Sequence, residues 1–402
     1  MDYRDFEGKE GSNERRQGDV GYWWKESSPP ERAQALVAAA EELKDRSTDR
    51  NQANLRHARL HGNFDALSFA VRDYTRPSSL PQNRISLNVV SSAIDTLTSK
   101  VAKTRPRPSF LTEGGNYPQQ RAARRLDKFW RGVFYETKIY EETPRVFLDG
   151  CIFDTAALKV FLKDGRLCHE RVFPQDLFVD DADGVYGRPR QIFQRMVVAK
   201  EVLLAEFAGD AAAREAIAAA KPPEDSYYRG FGDCVEVWEA WHLRSSKKAK
   251  DGIHCIAIRG AELFTEEWKI EKFPFAFFRF SSRVLGFWGQ GLAERLSGIQ
   301  LEINRLLRSL TEQLRRKGRC RVYVPMGSKV VASHLTNAIG DIVYYAGSAP
   351  PTVDNGNAIA PEEFAQLERL YEKAFQESGI SLLSAGAKKP SGLDAAVALR
   401  EF

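Results

Sequence analysis

The chain is poor in the residues that usually build an enzyme pocket. Its 402 residues include only six histidines and five cysteines, with no Cys-x-x-Cys pair among them. Cys151, Cys168, Cys234, Cys255 and Cys320 are scattered and odd in number, which argues against a disulfide framework and against a zinc site. They read as reduced core thiols. GxxxxGK[ST] is missing, so a P-loop ATPase is unsupported; HExxH, GxSxG and the kinase motifs are missing too. No apolar run approaches the roughly 18 residues of a membrane span, so no membrane partner is expected. The opening residues, MDYRDFEGKEGSNERRQGD, are charged and lack the apolar centre of a secretory signal, and synthesis in the cytoplasm is the expectation.

Three clusters come near to chemistry and fall short. His57 and His61 stand one helical turn apart, a spacing that suits a metal but also a solvated helix face, the reading preferred. Asp180-Asp181-Ala182-Asp183-Gly184 resembles part of a calcium loop. Val179 and Arg190 stand where ligands are needed, so it reads as an acidic turn. Gly286, Gly289 and Gly291 have no strand–turn–helix nucleotide unit around them. No catalytic residue, metal or cofactor is therefore assigned, and nothing marks the chain as an enzyme.

What is present is a folded protein with a mild positive charge. The hydrophobic fraction is 43% and the aromatic fraction 11%, which argues against wholesale disorder. The net charge of +5 permits a polyanionic partner without requiring one. Between Gln290 and Arg321 stand eight basic residues, Arg295, Arg305, Arg308, Arg315, Arg316, Lys317, Arg319 and Arg321, against the acids Glu294, Glu302 and Glu312. That surplus equals the whole chain's. Cations at a helix C-terminus are favoured by the helix dipole, so the cluster divides between that cause and contact with nucleic acid.

Residues 1–82 read as a polar N-terminal stretch, the aromatics Tyr22, Trp23 and Trp24, and helices over Pro29–Arg46 and Gln52–Leu60. The aromatics suit docking on a neighbour and packing on the parent domain equally. Helices are predicted over Asn83–Lys103, Gln119–Tyr135, with Leu126, Phe129, Trp130 and Val133 on one side, and Tyr140–Phe153. The period then changes. Ala156–Leu162 and Leu167–Phe173 flank a turn at Lys163-Asp164-Gly165-Arg166 and predict a β-hairpin. Further strands are expected at Gln191–Val198, Asp233–Arg244, Ile253–Arg259 and Phe275–Ser281, and short helices at Lys200–Phe207 and Ala211–Ala220. The fold class is α+β.

The most informative stretch follows. Gln290–Lys317 predicts a long amphipathic helix, with Leu292, Leu296, Ile299, Ile303, Leu306, Leu310 and Leu314 at steps of three and four. Gly318 ends it. Cys320–Pro325 and Asp341–Tyr345 read as strands. Pro361 opens a second helix with Phe364, Leu367, Leu370, Tyr371 and Phe375 on its apolar face, and Gly379 stops it. Ser381–Ser391 reads as a loop, and Gly392–Phe402 as the start of another helix. Ending inside a periodic segment suggests that a C-terminal part is missing or that this helix is short. The helix, strand insert and returning helix suggest a unit that packs against copies of itself.

The order of elements from Asn83 onward resembles the portal, or head-to-tail connector, proteins of tailed bacteriophages. The matching pieces are Lys100-Val-Ala-Lys-Thr-Arg-Pro-Arg-Pro108, Phe173-Pro-Gln-Asp-Leu-Phe-Val-Asp180 and Phe273-Pro-Phe-Ala-Phe-Phe-Arg-Phe280. The strongest is Gly289-Gln-Gly-Leu-Ala-Glu-Arg-Leu-Ser-Gly-Ile-Gln-Leu-Glu-Ile-Asn304. The resemblance implies a ring of identical subunits, typically twelve, around a channel for double-stranded DNA at one capsid vertex of the virion. It implies an α/β wing at 83–286, stem helices at 287–317 and 361–378, a β-containing clip at 318–360, a tunnel loop at 379–391 and the start of a crown at 392–402. Against that pattern, the chain is expected to lack a full crown or C-terminal barrel. Lys388, Lys389, Ser384 and Ser391 would line the channel. Arg315, Arg316, Lys317, Arg319 and Arg321 would form the basic stem and clip. Leu296, Ile299, Ile303, Leu306, Leu310, Phe364, Leu367 and Tyr371 would pack between subunits. The implied partners are the terminase large subunit, head-completion and tail adaptor proteins, and the major capsid and scaffolding proteins. A DNA-processing nuclease and a non-portal helical adaptor of the virion are the competing readings; the first needs clustered carboxylates, none convincing in the sequence.

Overall fold

A computed structural model describes residues 22–63, 87–112, 114–163, 165–223, 233–317, 321–323, 352–354 and 361–380. Helices α1 (Pro29–Arg46), α2 (Thr48–His61), α3 (Val89–Lys103), α4 (Tyr117–Glu136) and α5 (Ile139–Ile152) come first. The hairpin β1 (Ala156–Lys163) and β2 (Arg166–Val172) follows, then β3 (Leu177–Phe178) and β4 (Gln191–Ala199). Helices α6 (Lys200–Glu206) and α7 (Ala211–Ala219) lead to β5 (Cys234–His242), β6 (Ile253–Ile258), β7 (Ala261–Glu267) and β8 (Phe275–Phe278). The short strands β9 (Ser281–Ser282) and β10 (Gly289–Gln290) precede α8 (Leu292–Lys317), β11 (Arg321–Tyr323), β12 (Thr352–Asp354) and α9 (Pro361–Ser378). The chain is mixed α+β, as expected.

Its contacts fall into two units. Over the described residues, the first holds 22–58 and 98–292, and the second holds 59–63, 87–97 and everything from 293 onward. This grouping follows different lines from the division at residue 82 expected from sequence. Trp23 and α1, assigned to a separate N-terminal region, belong to the core of the first unit.

The first unit is organised by an antiparallel sheet in the order β3-β4-β5-β6-β7. Strand alternation assigns its two faces. Phe193, Trp238, Ala240, Cys255 and Ala257 face α1, which answers with Ala33, Leu36, Val37, Ala40 and Leu43 at helical spacing. The alanines let the helix lie close to the sheet. Each of the larger aliphatic side chains buried there contributes about 1.5–3 kcal/mol. Trp23 is fully buried and its Nε1 donates to Gln191 Oε1 at 3.2 Å, while Trp24 stacks on His242 with centroids 4.1 Å apart. These aromatics pack on the parent unit.

The opposite face is covered twice. Val235, Val237, Ile258 and Leu263 pack against Leu203 of α6 and Ala213 and Ile217 of α7. Ile192 and Trp241 pack against Ala157 and Val172 of a second sheet, ordered β2-β1-β8. The hairpin register pairs Lys163 with Arg166, as the turn sequence requires. Strand β7 was not expected from sequence, and it forms the edge of the larger sheet.

In the second unit, α3 starts at Val89 rather than at the expected Asn83, because Asn88 caps it. Asn88 Oδ1 accepts from the Ser91 N–H at 2.9 Å, and its Nδ2 donates to the carbonyls of Leu60 and His61. Gln300 of α8 completes the cap. Its Oε1 accepts from the Val89 N–H and its Nε2 donates to the Leu87 carbonyl, each at 2.9 Å. Strands β11 and β12 pair antiparallel, Arg321 with Asp354, Val322 with Val353 and Tyr323 with Thr352. The first of these strands was expected; its partner was not, and Asp341–Tyr345 lies outside the described residues. Helix α9 ends where expected. Gly379 takes a left-handed φ of +69°, and the Ile380 N–H turns back to the Phe375 carbonyl at 3.3 Å.

Candidate functional site

The apolar stripe of α8 is placed by its period, and the structure shows which of its members are already covered. Leu296 and Ile303 are fully buried and Leu310 nearly so within a single chain. Their apolar surface is covered by the chain's own fold, whereas the sequence reading places them between subunits. Ile299, Leu306, Leu367 and Tyr371 are half-buried. Phe364 is 47% exposed, as are Leu301 and Leu314 to a similar extent on α8. Gln313 of α8 donates to the Glu363 carboxylate of α9 at 3.0 Å, which links the two helices. Helix α8 begins at Leu292, two residues later than expected, since Gln290 pairs with Ser281 in β10.

Arg315, Arg316 and Lys317 lie in the last turn of α8 and Arg321 opens β11. Arg319, Lys388, Lys389, Ser384 and Ser391 lie outside the described residues, with Cys320, residues 381–391 and residues 392–402.

The glycines before α8 serve a close approach of backbone. A Cβ at Gly291 would stand 2.2 Å from the Phe153 carbonyl and 2.9 Å from that of Cys151; one at Gly289 would meet the Asp154 carbonyl at 2.6 Å. Carbonyl oxygens crowd this turn and would repel a phosphate. The acidic turn is also structural. Asp180 Oδ1 accepts from the Ala182 N–H at 2.8 Å and Asp183 Oδ2 from the Arg190 N–H at 2.6 Å. His57 and His61 differ from the expected solvated pair: both are half-buried, and His61 Nε2 lies 3.5 Å from the Asp95 carboxylate. No group of three or more His, Cys, Asp or Glu able to hold a metal occurs among the described residues. No disulfide joins Cys151, Cys168, Cys234 and Cys255. Burial pushes the Cys151 and Cys255 thiols up to about 12, which suits inert core cysteines.

Two buried ionic clusters went unmarked by the sequence. Between the two sheets of the first unit, Lys159 of β1 pairs with Glu239 of β5, both nearly inaccessible. His254 of β6 places Nε2 at 2.9 Å from Glu239 and Nδ1 at 2.9 Å from Glu266. Its ring stacks on Trp241 with centroids 5.0 Å apart. Burial alone would raise the Glu239 pKa, but the hydrogen bonds and charges of His254 and Lys159 outweigh it and hold the carboxyl below its ordinary value. The second cluster is looser. Arg50 lies over the Trp288 ring at 3.4 Å, donates to the carbonyls of Pro174 and Leu177, and sits 3.8 Å from Asp154. Burial dominates there, lowering the Arg50 pKa and raising that of Asp154. A signal for Glu239 does exist in the sequence. The alternation Val235, Val237, Glu239, Trp241 places a carboxylate on a buried face, where a partner is obligatory.

A shallow apolar cavity of about 200 Å³ lies between Val101, Pro106, Phe134, Tyr140 and Pro144. It holds no convergent polar groups of the kind a small-molecule site uses. No helix of the described residues is long and apolar enough to cross a membrane. No protein-family model matches the chain, and no curated protein matches it.

Proposed function

We propose that this chain is one subunit of a phage portal, a ring at one capsid vertex through which double-stranded DNA is packaged and later ejected. The observation that carries the reading is the unit α8–β11/β12–α9. A 26-residue helix leaves the α+β body, a short antiparallel strand pair turns the chain, and an 18-residue helix returns. The Gln313–Glu363 hydrogen bond joins the two helices. That order is the stem, clip and stem of the proposed ring. In this reading the α+β body is the wing, and the loop carrying Lys388 and Lys389 meets DNA in the lumen. The clip docks the terminase large subunit and then the tail adaptors, and the capsid and scaffolding proteins surround the ring.

Closure draws on the apolar surface that a single chain leaves open, at Phe364, Leu301 and Leu314. The test is mass photometry of the purified chain beside Phe364→Asp. Oligomers of the parent chain that fall to monomer in the variant, with melting unchanged, support the reading. A parent chain that stays monomeric at micromolar concentration contradicts it.

A further inference from the structure

Helix α4 segregates its charge. At 100° per residue, Arg121, Arg124, Arg125, Lys128 and Arg131 fall within an arc of about 120°, with Leu126, Phe129, Trp130 and Val133 opposite. The arc otherwise holds only Tyr117, Gly132 and Tyr135, and no acid. All five cations are exposed, and none makes an ion pair among the described residues. The acids of the helix stand outside the arc. Glu136, in the last turn, falls about 20° beyond the Arg125 edge, and Asp127, about 40° beyond the Arg131 edge, is committed to the Phe110 N–H at 3.1 Å. That bond fixes an exposed extended arm along the border of the arc. A second tether is the Tyr140 hydroxyl, which donates to the Pro106 carbonyl at 2.8 Å. The arm adds Arg105 and Arg107, each followed by a proline that stiffens it.

The helix is held as a rigid rod. Asn116 and Gln119 form a reciprocal capping box at its start. The aromatic run Phe129, Trp130, Phe134 and Tyr140, with successive centroids 6.1, 5.9 and 5.7 Å apart, ties its other side to α5. The helix therefore presents five cations, four of them arginine, on one preset face, with Arg105 and Arg107 on the tethered arm.

We propose that this face binds the phosphate backbone of double-stranded nucleic acid without reading its sequence. The five helix cations span roughly 15 Å of axis, and a duplex carries one charge per about 1.7 Å, so the arc meets several phosphates at once. Guanidinium forks suit phosphate oxygens, and the arc carries no Asn, Gln, Asp or Glu of the kind that read adenine or cytosine edges. An anionic membrane fits less well. A helix lying on lipid must insert its apolar face, whereas here that side is tied through Phe134 to Tyr140 of α5. This face lies within the first unit, and its binding does not require ring closure.

The test is fluorescence anisotropy of a labelled duplex of about 30 base pairs with the full chain, over a salt series. The variant joins Arg121→Gln, Arg124→Gln, Arg125→Gln, Lys128→Gln and Arg131→Gln. All five positions are exposed, and thermal melting checks that the fold survives. The expected result is binding weaker by about a hundredfold or more near 0.1 M salt, with a log–log salt slope shallower by about 4.5. Lys247→Gln with Lys248→Gln, exposed lysines of the loop between β5 and β6, leaves that slope in place. Unchanged affinity and slope in the five-site variant overturn the proposal. So does a slope lost in the loop variant instead, or tighter capture of phosphatidylglycerol vesicles or poly-glutamate than of duplex at equal salt. Mass photometry of the same samples reads the oligomer separately, so failure of the ring and failure of this surface are distinguishable.

Discussion

Helices α1 and α4 are both long and amphipathic, yet one is consumed by the fold and the other is not. In α1, Ala33, Leu36, Val37, Ala39, Ala40 and Leu43 are buried against the large sheet. In α4 no residue is buried; Phe129 is 63% exposed and Leu126 44%. The residue sizes explain part of the difference. A small-residue face lies flat on a sheet, whereas a face of Phe and Trp needs a deep groove, and this chain supplies α4 with only the neighbouring α5. Periodicity reveals that a helix has an apolar side, and it does not reveal whether the same chain covers that side.

The comparison is broken most severely by moving one charge between the helices. Leu36→Asp should cost about 4 kcal/mol or more, since a carboxylate would enter a dry seam, while Phe129→Asp should stay within about 0.5 kcal/mol. Urea denaturation of both variants reads the difference, and equal losses would show that α4 is as integral to the fold as α1.

The buried pair beneath the sheet comes next. Glu239→Gln leaves Lys159 without its counter-charge and should cost about 3 kcal/mol at neutral pH. The sign with pH follows from the lowered Glu239 pKa. Its ionised form stabilises the folded state fully above the ordinary glutamate value of 4.5, and that contribution fades as pH falls through the lower folded value. The stability gap between parent and variant should therefore narrow below pH 4.5. A gap that widens on acidification would contradict the assignment.

Thiol labelling sharpens the same contrast between covered and open positions. On a Cys320→Ser background at mildly alkaline pH, Cys168 and Cys234 should react with a maleimide well before Cys151 and Cys255, whose thiols are pushed up to about 12. Mass spectrometry of timed samples checks the order. The smallest effect belongs to an open helix face: Glu302→Gln, which removes the 3.5 Å exposed pair with Arg305, should change stability by less than about 0.5 kcal/mol.

Local chemistry made much of this fold legible. Pro361 with Glu362 and Glu363 marked the start of α9, Gly379 its end, and the Lys163-Asp164-Gly165-Arg166 run the hairpin turn. Strand β7 escaped because Ala261–Glu267 is acidic and short of β-branched residues, a composition tolerated at a sheet edge. Strand β12 escaped because three residues after Pro351 carry too little pattern. The candidate site was less legible. Leu296, Ile303 and Leu310 were correctly placed on one face, but the face was assigned to a neighbouring subunit when the chain itself covers those three side chains. Lys159 with Glu239, and Arg50 with Trp288, lie far apart in sequence, and no periodicity reports such partners. Gln300 was hidden for the same reason: it sits among apolar residues of α8 to cap a helix more than 200 residues earlier.

The proposed function rests on copies of the α8–β11/β12–α9 unit closing side by side. Negative-stain electron microscopy of the purified chain at micromolar concentration tests that most directly. Closed annuli of about twelve subunits, with a central hole wide enough for a duplex, are the predicted result. Compact single particles, or open chains of subunits with no central hole, would contradict it.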